Sequence, residues 1–249
     1  MTSNGPTSVK SDRVGAVRRL ANRKFRNQVQ RFLVEGPQGV REAVAHRPEV
    51  IDEIFVVGES DIADSANDAG VRVTQVPEQV LLAMCETVHP QGIAAVCRFL
   101  DFHTPNDPRL VVVLHDVRDP GNAGTILRTA DAAGADAVYL TGDSVDPYNG
   151  KVVRSTAGSL FHIPFTQTDL DDVLAMDLQI LATSGTAARD LQDIDLTKPT
   201  VWLFGNEAHG LPELEVESVA IPIFGSAESL NLASAAAVCL YASAFAQRG

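Results

Sequence analysis

Apolar residues along this chain recur at two spacings, and the alternation between them predicts the architecture. Val14, Val17, Leu20 and Ala21 fall at helical spacing within 12–26, predicting a helix surrounded by basic residues. RFLVEG, closed by Gly36, reads as a short strand, and 37–47 as a helix with Pro37 in its first turn. The alternation continues with IDEIFVV (51–57) as strand, ADSANDAG as a helix stopped by Gly70, and VRVTQV as strand. PEQVLLAMCET then predicts a helix and GIAAVCRFL (92–100) a strand. DFHTPNDPR (101–109) is polar, carries two prolines and reads as a linker. Beyond it the strands become continuously apolar. RLVVVLHDV (109–117) has the pattern of a parallel strand covered on both faces. NAGTILRTADAAG predicts a helix with Ile126, Leu127, Ala130 and Ala133 on one side and Gly134 as its stop. ADAVYL, QILAT (179–183), TVWLFG (200–205) and VAIPIF (219–224) read as further strands, and 232–247 as a closing helix. The expected order is a flexible tail (1–10), a small α/β domain (11–100), a linker (101–109) and a parallel-sheet α/β domain (110–249).

Composition narrows the class. The 249 residues are 45% hydrophobic, with mean hydropathy +0.03, as in a globular protein. No apolar run reaches the ~20 residues of a membrane helix. The opening MTSNGPTSVKSD lacks the apolar stretch of a secretory signal, so a cytoplasmic protein is expected. Three cysteines, Cys85, Cys97 and Cys239, are far apart and form no Cys-x-x-Cys pair. Neither a disulfide framework nor a metal is expected. The net charge of −12 hides an asymmetry: residues 1–47 hold ten basic and three acidic residues, net +7, against −19 for the rest. A basic arm on an acidic body suits a polyanion met locally, or is a solvated helix face.

Three loops at strand ends carry candidate chemistry, where open α/β sheets bind ligands. In HDVRDPGNAGTILRTADAAGA (115–135), a sharp turn enters a helix and its free N–H groups suit an anion. Neither a P-loop nor a dinucleotide fingerprint is present, and Asn122 as helix N-cap is the simplest reading. In FGNEAHGLPE (204–213), Glu207 suits a helix start and His209 an ordinary loop position. In IPIFGSAESLNLASAAA (221–237), Ser229 and Asn231 flank the last helix, each most simply as a cap.

Together these segments resemble the three ordered motifs of the SpoU-type RNA 2′-O-ribose methyltransferases, within the SPOUT class. DPGNAGTILRTADAAGA matches the first, FGNEAHGL the second and IPIFGSAESLNLASAAAVCLYA the third. KVVRSTAGSLFHIPF (151–165) also looks like the family, and the NRKFRNQVQRFLVEGPQGVREA and PQGIAAV stretches resemble its small substrate-binding domain. The resemblance implies a parallel sheet whose C-terminal part is threaded into a trefoil knot, where generic connection rules give an unknotted one. It implies S-adenosylmethionine as cofactor, RNA as substrate (ribosomal ahead of transfer RNA) and a homodimer without metal or membrane. Its catalytic set falls on Asn122, Arg128, Glu207, Ser229 and Asn231, and its cofactor loops on Thr183, Gly205, Ile221 and Leu230. An arginine keeps its proton to above about pH 12, so Arg128 is expected to grip phosphate and offset charge rather than act as base. Arg23, Lys24, Arg26 and Arg31 become expected RNA contacts. Arg154 is a further one, or a structural tie between loops. The alternative function is a non-catalytic RNA-binding protein on the same scaffold.

Overall fold

Strands β1 (Ser3–Asn4), β2 (Arg31–Glu35), β3 (Ile51–Val56), β4 (Val73–Gln75) and β5 (Ile93–Arg98) form a sheet in the order β1-β4-β3-β5-β2. The computed structural model describes residues 3–249. β1, β4 and β3 are parallel, whereas β5 runs antiparallel to both β3 and β2. The tail expected over 1–10 is thus partly sheet, because residues 3–4 pair with β4 and Gly5 N donates to Gln75 O. Residues 1–2 lie outside the described residues.

Helices α1 (Asp12–Arg18), α2 (Arg23–Val29), α3 (Pro37–His46), α4 (Asp61–Asp68) and α5 (Glu78–Met84) complete this part. The single helix predicted over 12–26 is broken. A 3-10 turn (Arg19–Ala21) follows α1, and extended Asn22 then caps α2 by accepting from Phe25 N. Asparagine competes with helix hydrogen bonding through its own side chain, and a helical hydrophobic repeat does not register that. Val14, Val17 and Leu20 still reach one core, with Leu33, Phe55, Val80, Leu81 and Met84.

The second sheet has seven strands, all parallel: β6 (Leu110–His115), β7 (Ala137–Thr141), β8 (Phe165–Gln167), β9 (Gln179–Thr183), β10 (Arg189–Asp190), β11 (Thr200–Phe204) and β12 (Glu217–Ala220). Their order is β10-β12-β9-β11-β6-β7-β8. Every residue of β11 is buried, as the continuous apolar pattern requires. Helix α6 (Pro120–Ala133) turns Ala123, Ile126, Leu127, Ala130 and Ala133 inward and ends at left-handed Gly134. Two short helices, α7 (Gly150–Ser155) and α8 (Leu170–Leu174), precede the closing α9 (Leu232–Arg248). Trp202 Nε1 donates to Ser243 Oγ at 2.9 Å, fixing α9 against β11. The strand expected over 219–224 stops at Ala220, since Pro222 has no N–H for a ladder. The chain after it leaves the sheet as a loop.

The molecule divides into two compact units. One holds residues up to 101 together with 146–162, and the other holds 102–145 and 163–249. Segment 146–162, which the sequence places inside the 110–249 domain, therefore packs with the first unit. Linker residue Phe102 belongs to the second unit, where its ring meets Phe165 at 5.7 Å.

Candidate active site

Helix α6 is capped by Asp119, whose Oδ1 accepts from Asn122 N at 2.7 Å. This corrects the expectation that Asn122 is the cap: the carboxylate three residues earlier takes that role and leaves the Asn122 side chain available. Its Nδ2 donates to Glu207 Oε1 at 2.8 Å, and its Oδ1 accepts from Asn231 Nδ2 at 3.1 Å. A carboxylate only accepts, so this network also fixes which way the Asn122 amide faces.

Glu207 sits on a tight loop after β11, not at a helix start. Asn206 and Gly210 exchange backbone hydrogen bonds of 3.1 and 2.8 Å across the loop base. Asn206 Oδ1 accepts from Ala208 N and His209 N, while its Nδ2 donates to Asp116 O at 2.9 Å. Sequence reasoning did not single out Asn206. Its signal was the Gly-Asn pair directly after a buried strand, a turn-forming combination. A Cβ on Gly205 would lie 2.5 Å from the Gly210 carbonyl carbon, so only glycine lets the loop fold back on itself. Asn231 is the N-cap of α9, its Oδ1 accepting from Ala233 N and Ser234 N. The cap occupies its oxygen and frees its amide nitrogen for Asn122, so the cap and the site coexist.

Beside this Glu207–Asn122–Asn231 line lies a cavity of about 450 Å³. Thr183, Gly205, Ile221 and Leu230 all line it, with Glu207, Ser229 and Asn231. Its size falls in the range of small-molecule sites. Glu207 and Glu228 are the charged residues of the lining, and among the described residues no basic side chain joins them. That polarity fits a cofactor whose reactive centre is a sulfonium cation, and the glycine at Gly205 keeps one wall as bare backbone. Ser229 lines the cavity without joining the hydrogen-bonded line. Arg128 is exposed and makes no hydrogen bond or ion pair among the described residues.

The basic residues of the first unit separate by burial. Lys24 is exposed, and Arg23 is exposed with its Nε 3.9 Å from Asp146. Arg31 pairs with Asp52 and donates to Val29 O. Arg26 is only 2% exposed and donates to Leu20 O, Ala21 O and Asp146 Oδ2 at 2.7–2.8 Å. This corrects its assignment as an RNA contact, because both terminal guanidinium nitrogens are committed inside the protein. Arg154 donates to Glu35 Oε2 at 2.8 Å, while the Glu35 carboxylate also accepts from Glu86 N and Thr87 N. Of its two expected roles, the structural tie is the one its partners show.

Residues 109–241 match the SpoU rRNA Methylase family, and 11–95 match the MRM3-like substrate binding domain. The chain is 36% identical over 246 residues to the 23S rRNA (guanosine(2553)-2′-O)-methyltransferase RlmP of Bacillus subtilis, covering 94% of this chain and 96% of that one. It is 32% identical to the 23S rRNA (uridine(2479)-2′-O)-methyltransferase of Streptomyces viridochromogenes, covering 89% and 85%. The AdoMet-bound rRNA methyltransferase of Sinorhizobium meliloti superposes with a TM-score of 0.84 at 33% identity, over 97% of each chain. By family match, full-length similarity and fold, the chain belongs to the SpoU rRNA methylase family, the S-adenosylmethionine-dependent RNA ribose 2′-O-methyltransferases.

Proposed function

We propose that this enzyme methylates ribosomal RNA at a ribose held against the Glu207–Asn122–Asn231 line. The observation that carries the assignment is that line, which joins one residue from each of three distant sequence motifs, two of them, Glu207 and Asn231, lining one cavity. S-adenosylmethionine, when bound, supplies the methyl group from its sulfonium centre. Thr183, Gly205, Ile221 and Leu230 hold it, largely through backbone groups. Glu207 and Asn231 hold the Asn122 amide in one orientation, so that it presents fixed polar groups to the ribose, and Ser229 completes the rim. Transfer to a hydroxyl needs in-line alignment of three atoms, and a side chain already locked by hydrogen bonds loses little entropy in providing it. Arg128, exposed and uncommitted, grips an RNA phosphate bidentately and offsets charge developing at the hydroxyl.

Ribosomal RNA is preferred to transfer RNA because the curated relatives named above act on 23S rRNA. The exposed cations Arg23 and Lys24, with Arg31 at the sheet edge, form the RNA-facing surface of the first unit. In bacteria, the source of the relatives named above, the cytoplasm is the compartment in which such a substrate is made. A homodimer is supported by α9, whose Val238, Tyr241 and Phe245 form an exposed apolar stripe, Phe245 at 71%. A trefoil knot in the second unit is supported by its all-parallel sheet, with β11 between β9 and β6 and α9 packed back on β11 and β6. No observation favours the non-catalytic RNA-binding reading. The test maps ribose methylation across total RNA with and without the gene. A methylated ribosomal nucleotide that disappears with the gene supports the assignment, and one confined to transfer RNA overturns the substrate.

A further inference from the structure

Three side chains that methyl transfer does not use converge in the first unit. Glu42 and His46 stand one turn apart on α3, and His162 follows the 3-10 turn Ser159–Phe161. His46 Nε2 is 3.4 Å and His162 Nε2 3.2 Å from the same oxygen, Glu42 Oε2. The imidazole centroids are 4.3 Å apart at 62°, and the three donor atoms all lie within 4.8 Å of one another. We propose that Glu42, His46 and His162 form a binding site for a divalent transition-metal ion, with zinc the best match.

Two donors about 2.0–2.1 Å from a tetrahedral ion stand about 3.3 Å apart, close to the two spacings observed. Two imidazoles and one carboxylate suit zinc, whereas magnesium and calcium prefer all-oxygen surroundings. Three protein ligands leave the fourth position to water. The surroundings hold the carboxylate in place for this. Gln38 Nε2, one turn earlier on α3, donates to Glu42 Oε1 at 2.9 Å and leaves Oε2 to the two imidazoles. Ligating carboxylates are commonly oriented in this way by an outer hydrogen bond. Gly158, at φ 101°, lets the other element come close: a Cβ there would sit 2.2 Å from Glu42 Cγ. The ion would pin α3 to segment 146–162, two stretches of the first unit far apart in the chain. It would therefore act on the stability of the first unit. Glu42-x-x-x-His46 is half a site in sequence. Its third ligand, 116 residues later, is brought to it only by the fold, which is why cysteine spacing gave no hint of a metal.

The alternative is a plain hydrogen-bonded cluster, in which both Nε2 atoms carry protons. Metal ligation needs both Nε2 lone pairs instead, with each ring in its neutral Nδ1–H tautomer. The test titrates the untagged, chelator-stripped full chain with zinc chloride against a chromogenic zinc indicator, and records Tm with and without zinc. The expected result is one zinc per chain and a zinc-dependent rise in Tm. His46→Gln and Glu42→Gln should each lower zinc affinity about tenfold or more and abolish the rise. His46 is 53% exposed in its side chain, so its variant should keep the native circular dichroism spectrum. His103→Gln, an exposed histidine outside the cluster, should bind zinc as the wild type does. Failure of the wild type to bind zinc, or unchanged affinity in folded His46→Gln, overturns the site.

Discussion

Arg26 sits in the stretch of sequence that looks most like an RNA-binding arm, yet the fold uses it internally. Replacing it with alanine removes the donor to two backbone carbonyls, Leu20 O and Ala21 O, and to Asp146 Oδ2. Asp146 is 7% exposed, so its carboxylate would remain buried with the Tyr148 N–H as donor and the Arg23 guanidinium 3.9 Å away. Removing one partner of a buried ion pair costs about 3–5 kcal/mol, because the other charge remains desolvated. At 1.36 kcal/mol per tenfold, the unfolding equilibrium should shift by roughly two to four orders of magnitude. For a cooperative unit of 150–250 residues, that lowers Tm by about 6–20 °C. Arg26→Lys keeps the charge but cannot serve three acceptors with a planar fork, so it should fall between alanine and wild type. Lys24→Ala, two positions away and exposed, should stay within about 0.5 kcal/mol of wild type. The assay is urea and thermal unfolding by circular dichroism, with hydrogen exchange read on peptides spanning 12–35 and 146–162. Faster exchange in both stretches is expected for Arg26→Ala. An Arg26→Ala protein of wild-type stability that loses only RNA affinity would refute the structural role.

Asn122→Ala and Arg128→Ala should abolish methyl transfer while calorimetry shows S-adenosylmethionine affinity within a few-fold of wild type, since neither side chain lines the cavity; loss of cofactor binding in both would show the roles are misassigned. Gly205→Ala should lose cofactor binding, because its methyl would overlap the Gly210 backbone; a variant that binds normally removes the close approach from the argument. Arg23→Glu with Lys24→Glu should weaken RNA binding and flatten its salt dependence by roughly 0.7–0.9 for each phosphate no longer neutralised, and an unchanged slope would mean RNA is met elsewhere. Light scattering should report a dimer, and a species of 26.6 kDa at micromolar concentration would count against the α9 interface. Burial raises the thiol pKa of Cys239 and of Cys85 to about 12, with Glu35 adding to the effect at Cys85. Thiolate is then about 10⁻⁴ of either at pH 8, so native alkylation should be slow, and rapid labelling of Cys239 would contradict its burial.

Local pattern was enough for most elements. A strand such as 110–115 or 200–204 announces itself because burial on both faces demands an unbroken apolar run, and α6 because its inward residues repeat at helical spacing. The three motifs, read together, were also enough to reach the family. What the sequence could not determine was how polar side chains are spent. Asn122, Asn231, Arg26, Arg154 and Glu42 are each compatible with a cap, a solvated face or a ligand until their partners are known, and those partners lie 85 to 120 residues away in sequence. A hydrogen bond or ion pair depends on atoms within about 3 Å, and only the tertiary structure sets distances between residues so far apart along the chain. The break at Asn22 and the departure of 221–224 from the sheet have local causes instead, one side-chain cap and one missing N–H, which outweigh the hydrophobic pattern.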